Sequence, residues 1–137
     1  MAGIRSCHVL DACALLRLAQ NEPGAERVAE ILTQAVSGRP ERVLLHQINL
    51  GEVIYRIGKQ FGWPMAERKR AEIARLPIEI IAFADDLFWE AVKLEATYPM
   101  SYADCFAAAL ALREQAVLLT SDPEFEVLGN AVSREKI

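Results

Sequence analysis

Four acidic residues, Asp11, Glu52, Asp104 and Asp122, each stand near the end of an apolar run or the start of an amphipathic one. Asp11 follows CHVL directly. Glu52 lies in INLGE, just after VLLHQ; Asp104 lies in PMSYADCF; Asp122 follows VLLT and Ser121. Each acid has a purely local use. Asp11 can cap a helix, Asn49-x-x-Glu52 and Ser101-x-x-Asp104 fit the capping box, and Asp122 before Pro123 suits a cap with proline at the first helical position. Capping accounts for acids at helix starts, but not for so many beside apolar neighbours. Leu10, Ala12 and Cys13 surround Asp11, and Ala103, Cys105 and Phe106 surround Asp104. Half-buried carboxylates brought together repel, and protons or a cation must relieve them. Mg²⁺ or Mn²⁺, hard ions that prefer oxygen ligands, are the economical choice. The chemistry of such a site is phosphoryl transfer to water, with no protein nucleophile required. That agrees with the lack of a Ser-His-Asp set, since His8 and His46 both fall inside strand candidates.

The elements that would position these acids can be read from periodicity. Strands are expected at Cys7–Leu10, Val43–Gln47, Ile78–Phe83 and Val117–Thr120, with a weak fifth around Ala131–Ser133. Helices are expected over Ala12–Ala19, from Pro23 to a stop at Ser37-Gly38-Arg39-Pro40, from Asn49 to Gly62, from Pro64, from Asp85-Asp86 and from Ser101. Strands alternating with helices argue for a parallel sheet with helices on both faces, and ligands gather at the carboxyl ends of its strands. Glu52 is then expected on the first turn of its helix. Asp11, Glu52 and Asp122 share one edge of the sheet, and the helix opened by Asp104 starts near it.

The bulk numbers narrow the class. At 137 residues the chain is expected to be one domain, 1–137, with 53% hydrophobic and 25% charged residues, which suits a packed core. A net charge of −4 gives no basic field for coating polyanions, although acids gathered in a metal site produce the same sign. Cys7, Cys13 and Cys105 show no C-x-x-C spacing and read as reduced, small apolar residues. No apolar run is long enough for a signal peptide or a membrane span, so the cytoplasm is the expected compartment.

Taken in order, VLDACALLRLAQNEPGAERV, INLGEVIYR, SYADCFAAALAL and LLTSDPEF resemble the PIN domain, nearest to the VapC-type ribonuclease toxins of toxin–antitoxin pairs. The resemblance spans nearly the whole chain and rests on four motifs in the right order. It implies a three-layer α/β/α fold around a parallel sheet of four to five strands. It also implies an acidic pocket for Mg²⁺ or Mn²⁺ and endonucleolytic cleavage of RNA of the tRNA or ribosomal RNA class. Carried over by motif, Asp11, Glu52, Asp104 and Asp122 are the metal-binding and catalytic acids, and Thr120 orients the last of them or a water. A homodimer and a small antitoxin protein, one segment of which blocks a groove by the site, are the implied partners. Two departures touch the surroundings rather than the core acids. Ala12 and Cys13 replace the Ser or Thr often found after the first aspartate, and Glu124 stands where a further Asp often occurs.

Arg56 and Lys59, one and two turns after Glu52, are placed to meet RNA phosphates at a pocket mouth; the Glu67–Arg70 run serves equally as a solvated face. Trp63 and Trp89 suit base stacking or packing. Two other functions compete. One is a non-catalytic PIN-like module that binds RNA or protein. The other is a receiver-like or phosphatase domain using a phospho-aspartate; it lacks D-x-D after the first strand, and Thr120 stands where a receiver carries lysine.

Overall fold

The computed structural model describes residues 6–36 and 41–137. The expected helix stop at Ser37–Pro40 lies outside them. Among the described residues five strands form a parallel sheet in the order β3-β2-β1-β4-β5: β1 Ser6–Leu10, β2 Glu41–His46, β3 Glu79–Ile81, β4 Val117–Thr120 and β5 Arg134–Lys136. The helices are α1 Ala12–Ala19, α2 Ala25–Val36, α3 Gln47–Phe61, α4 Trp63–Ala74, α5 Asp85–Thr97 and α6 Tyr102–Glu114, with 3₁₀ turns over Pro123–Ala131.

Register explains why the short apolar runs are strands buried on both sides. Val9 pairs with Leu44 and Leu118, and the next residues, Leu10, Leu45 and Leu119, pair likewise. Because side chains alternate along a strand, the first set enters the core beneath α5 and α6, and the second enters the core shared with α1, α2, α3 and α4. The result is three layers, α/β/α, around a central parallel sheet.

α6 shows how composition selects position. Asp104 to Ala111 are all buried, so the helix has no solvent-facing stripe in its middle. A helix apolar on every side must be enclosed, and α6 is: it packs on β1, β2 and β4 and against α3 and α5. Its start, and therefore Asp104, is set by that enclosure.

Several boundaries differ from the sequence expectations. β2 begins at Glu41, whose carboxylate meets His8 Nδ1 at 2.7 Å, so a charged residue can open the strand. α3 begins two residues before Asn49. The buried His46 side chain accepts from the Ile48 N–H at 3.0 Å and caps the helix, while Asn49 turns inward and donates to the Ala103 carbonyl at 3.0 Å. Glu52 therefore sits on the second turn of α3, not the first. β3 stops at Ile81, and the Phe83 N–H bonds the Gln47 side chain at 3.1 Å instead of a ladder partner. α2 starts at Ala25, beyond Pro23. The fifth strand lies at Arg134–Lys136 rather than Ala131–Ser133, because the 3₁₀ turns run through Ala131. As an edge strand it tolerates charged side chains.

Candidate metal centre

β1 and β4 end side by side, so Asp11 comes one position after Leu10 just as Thr120 follows Leu119. Asp11 is 1% exposed, and both carboxylate oxygens are engaged. Oδ1 accepts the Ala14 N–H at 2.7 Å, which starts α1, and Oδ2 accepts the Thr120 hydroxyl. Burial pushes the Asp11 carboxyl up to about 6; the bonds from Thr120 and Ala14 oppose the rise, and the charges of Asp122 and Glu52 add to it. The Thr120 hydroxyl also accepts the Asp122 N–H at 2.9 Å, so one side chain ties the floor of the site to its rim.

Asp122 caps the 3₁₀ turns by accepting the Glu124 N–H at 2.9 Å. Glu124 then reaches across to α6 and accepts the Ser101 N–H. That bond resolves the double meaning of Ser101-x-x-Asp104. Ser101 does cap α6, accepting the Asp104 N–H at 3.2 Å. The reciprocal half of a capping box would send the Asp104 carboxylate back to the Ser101 N–H, and Glu124 occupies that donor instead.

Asp104 is thus left facing the other acids. It is 7% exposed, and its carboxyl is pushed up to about 8 by burial first, then by a hydrogen bond shared with Glu124 and by repulsion from Asp122 and Glu124. One oxygen from each of Asp104, Asp122 and Glu124 lies within 4.8 Å of the other two. These three, with Glu52, Arg56, Cys13, Tyr55 and Ser101, line an open cleft of about 380 Å³. Three convergent carboxylates, the Asp104 carboxyl among them raised first by burial and then by its acidic neighbours, fit a hard divalent cation with oxygen ligands.

The expected residues are not all equivalent. Asp104 and Asp122 converge with Glu124, which the sequence marks only as a departure; its spacing in Asp122-Pro123-Glu124 was the available signal. Glu52 lies on the cleft wall and pairs with Arg56, Nη2 to Oε2 at 2.7 Å. Asp11 sits beneath the lining. Arg56 is at the cleft, whereas Lys59 lies over the Tyr55 ring, 5.3 Å from its centroid, outside the lining. In the Glu67–Arg70 run, Arg70 pairs with Glu67 at 3.8 Å and Lys69 with Glu72 at 3.1 Å, within α4. Trp63 and Trp89 are each 58% exposed.

Cys13, Cys105 and His46 are not poised as nucleophiles or bases. Burial pushes Cys13 and Cys105 up to about 12, so both remain thiols. His46 is fully buried and lowered to about 4 by burial, then by Arg113. It is a neutral cap packed on Phe106, with ring centroids 4.8 Å apart. Among the described residues no helix is long and apolar enough to cross a membrane.

The PIN domain family model matches residues 8–130. No curated protein matches the chain in sequence. Among solved structures, DNA-bound VapBC from Salmonella typhimurium superposes with a TM-score of 0.76 at 19% identity, covering 96% of this chain and 98% of that one. VapBC2 from Rickettsia felis, bound to a promoter DNA fragment, gives 0.74 at 17% identity over 96% and 98%. The Mycobacterium tuberculosis toxin VapC20, which cleaves the sarcin-ricin loop, gives 0.69 at 16% identity over 89% and 95%. At these identities the likeness is one of fold.

Proposed function

The chain belongs to the PIN domain family, and we propose that it is a metal-dependent endoribonuclease, the toxin of a toxin–antitoxin pair. The convergence of Asp104, Asp122 and Glu124, with the Asp104 carboxyl pushed up to about 8, carries this reading. Asp104, Asp122 and Glu124 would hold Mg²⁺ or Mn²⁺, with Glu52 on the wall and Asp11 below completing the negative field. When bound, the ion supplies Lewis-acid polarisation of a phosphodiester and makes water a competent nucleophile at neutral pH.

The chain's own residues set the rest. Burial, and then the hydrogen bond with Glu124, hold the Asp104 carboxyl high, so the like charges of the cleft stay together where a cation would bind. Thr120 holds Asp11 and the Asp122 backbone in one frame, so the carboxylates are positioned before substrate enters. Arg56 offers a planar fork of donors to an RNA phosphate at the mouth, and Lys59 a second cation further along α3.

The same reading supplies the partners. RNA of the tRNA or ribosomal RNA class is the substrate, in the cytoplasm. An antitoxin is the inhibitor, one segment of which would lie in a groove by the acidic cleft and block it. A second copy would cover the exposed Phe83, Trp89 and Tyr102.

The test is incubation of purified, partner-free protein with total cellular RNA, in Mn²⁺ and in EDTA. Discrete fragments formed only with Mn²⁺ are expected. Intact RNA under both conditions, from protein that binds Mn²⁺, would instead indicate a non-catalytic RNA- or protein-binding module.

A further inference from the structure

The cleft contains one arrangement that the metal chemistry alone does not require. Among its described acids, Glu52 is the one held by a cation. Asp11 is bonded by Thr120 and the Ala14 N–H, Asp122 by the Glu124 N–H, and Asp104 and Glu124 by each other. Glu52 instead meets Arg56, four residues on, at 2.7 Å. The two ends of this pair differ in exposure. The Glu52 side chain is 15% exposed and belongs to the cleft wall, whereas Arg56 is 48% exposed and stands at the mouth.

We propose that Arg56 is an exchangeable counter-ion of Glu52: it holds that carboxylate while the cleft lacks a divalent ion, and is released to an RNA phosphate once the ion takes its place. This rests on the metal-dependent nuclease reading above. Glu four residues before Arg is the favourable order on a helix, so the pair forms readily. With nearly half of the Arg56 side chain in water, the bond is weak enough to exchange. A dication beside Asp104 and Asp122 outcompetes one positive charge for Glu52, and the freed guanidinium matches a phosphate in bidentate geometry. Arg56 therefore opposes ion binding and favours RNA binding. A residue that only stabilised α3 would do neither.

The experiment is Mn²⁺ titration of the ion-free protein, following free Mn²⁺ by electron paramagnetic resonance, for wild type, Arg56→Ala, Glu52→Gln and the double variant, with Asp104→Asn as control. Circular dichroism confirms that each is folded. Arg56→Ala is expected to bind Mn²⁺ roughly threefold to tenfold more tightly, the scale of one nearby charge removed in a solvated cleft. In the Glu52→Gln background the same substitution is expected to change affinity less than twofold, because the competition has no object. Unchanged or weaker binding by Arg56→Ala, or equal tightening with and without Glu52, would overturn the exchange. If Asp104→Asn loses Mn²⁺ while Arg56→Ala is neutral, the metal centre stands and the exchange falls. If the wild type binds no Mn²⁺, both fall together.

Discussion

The Thr120 hydroxyl donates to the Asp11 carboxylate from 109 positions away in sequence, joining the ends of β1 and β4 beneath the acidic cleft. The bond is buried, with Thr120 4% and Asp11 1% exposed. Thr120→Ala leaves a buried carboxylate short of a donor and is expected to cost about 1–3 kcal/mol at neutral pH. Thr120→Ser, which keeps the hydroxyl, should lose less than half of that. Urea unfolding midpoints of the two variants decide it; equal losses would mean that the methyl group, not the bond, matters.

The raised carboxyls set a pH dependence whose sign can be worked out. In ion-free protein Asp11 titrates near 6 and Asp104 near 8, against an ordinary 3.8, so the folded state binds more protons than the unfolded between about pH 4 and 8. Stability contributed by these groups is therefore lost as pH rises through that window. His46, lowered to about 4 from 6.5, works the other way: the unfolded state binds its proton first, so stability rises with pH up to about 6.5. From there to pH 8 the acids dominate, with the raised thiols adding a little in the same direction. Unfolding in EDTA should weaken by at most about 2 kcal/mol between pH 6.5 and 8, and Asp104→Asn should flatten the change. A wild-type stability that rises over this interval would contradict the assignment.

Removing the strained charge should also stabilise the empty protein. Asp104→Asn in EDTA at pH 8 is expected to be more stable than wild type by about 1–3 kcal/mol, with a smaller gain at pH 5. Thermal melts at the two pH values give the comparison directly. A destabilised variant at both would make Asp104 a structural cap of α6.

Divalent ions should reverse that order. Mn²⁺ at a hundredfold excess over its dissociation constant adds about 2.7 kcal/mol to a protein that binds it only when folded. Wild type should melt several degrees higher with Mn²⁺, while Asp104→Asn and Glu124→Gln should gain little. Equal shifts in all three would place the ion elsewhere.

How much of this was legible beforehand varied with the range of the interaction. Asp11 could be read because the run before it is a strand buried on both faces and the acid ends it. The layered fold followed from the alternation of such runs with amphipathic helices. Ser101-x-x-Asp104 alone suits a capping box equally well; the acids gathered at one sheet edge pointed Asp104 towards a shared ion with Ser101 as the cap. The part the sequence did not show is Glu124, 23 positions on, which takes the Ser101 N–H. Nor did it show the start of α3, because Asn49 looks like a cap until the Ala103 carbonyl is there to receive it. The fifth strand was expected a few residues early because Arg134–Lys136 carries no apolar pattern; its position comes from pairing with Leu118–Thr120.

That Asp104, Asp122 and Glu124 hold one divalent ion is tested most directly by anomalous diffraction from a crystal soaked in Mn²⁺. A single strong peak within ligating distance of all three carboxylates is the predicted result. A peak elsewhere, or none in a crystal whose cleft is open to solvent, would contradict it.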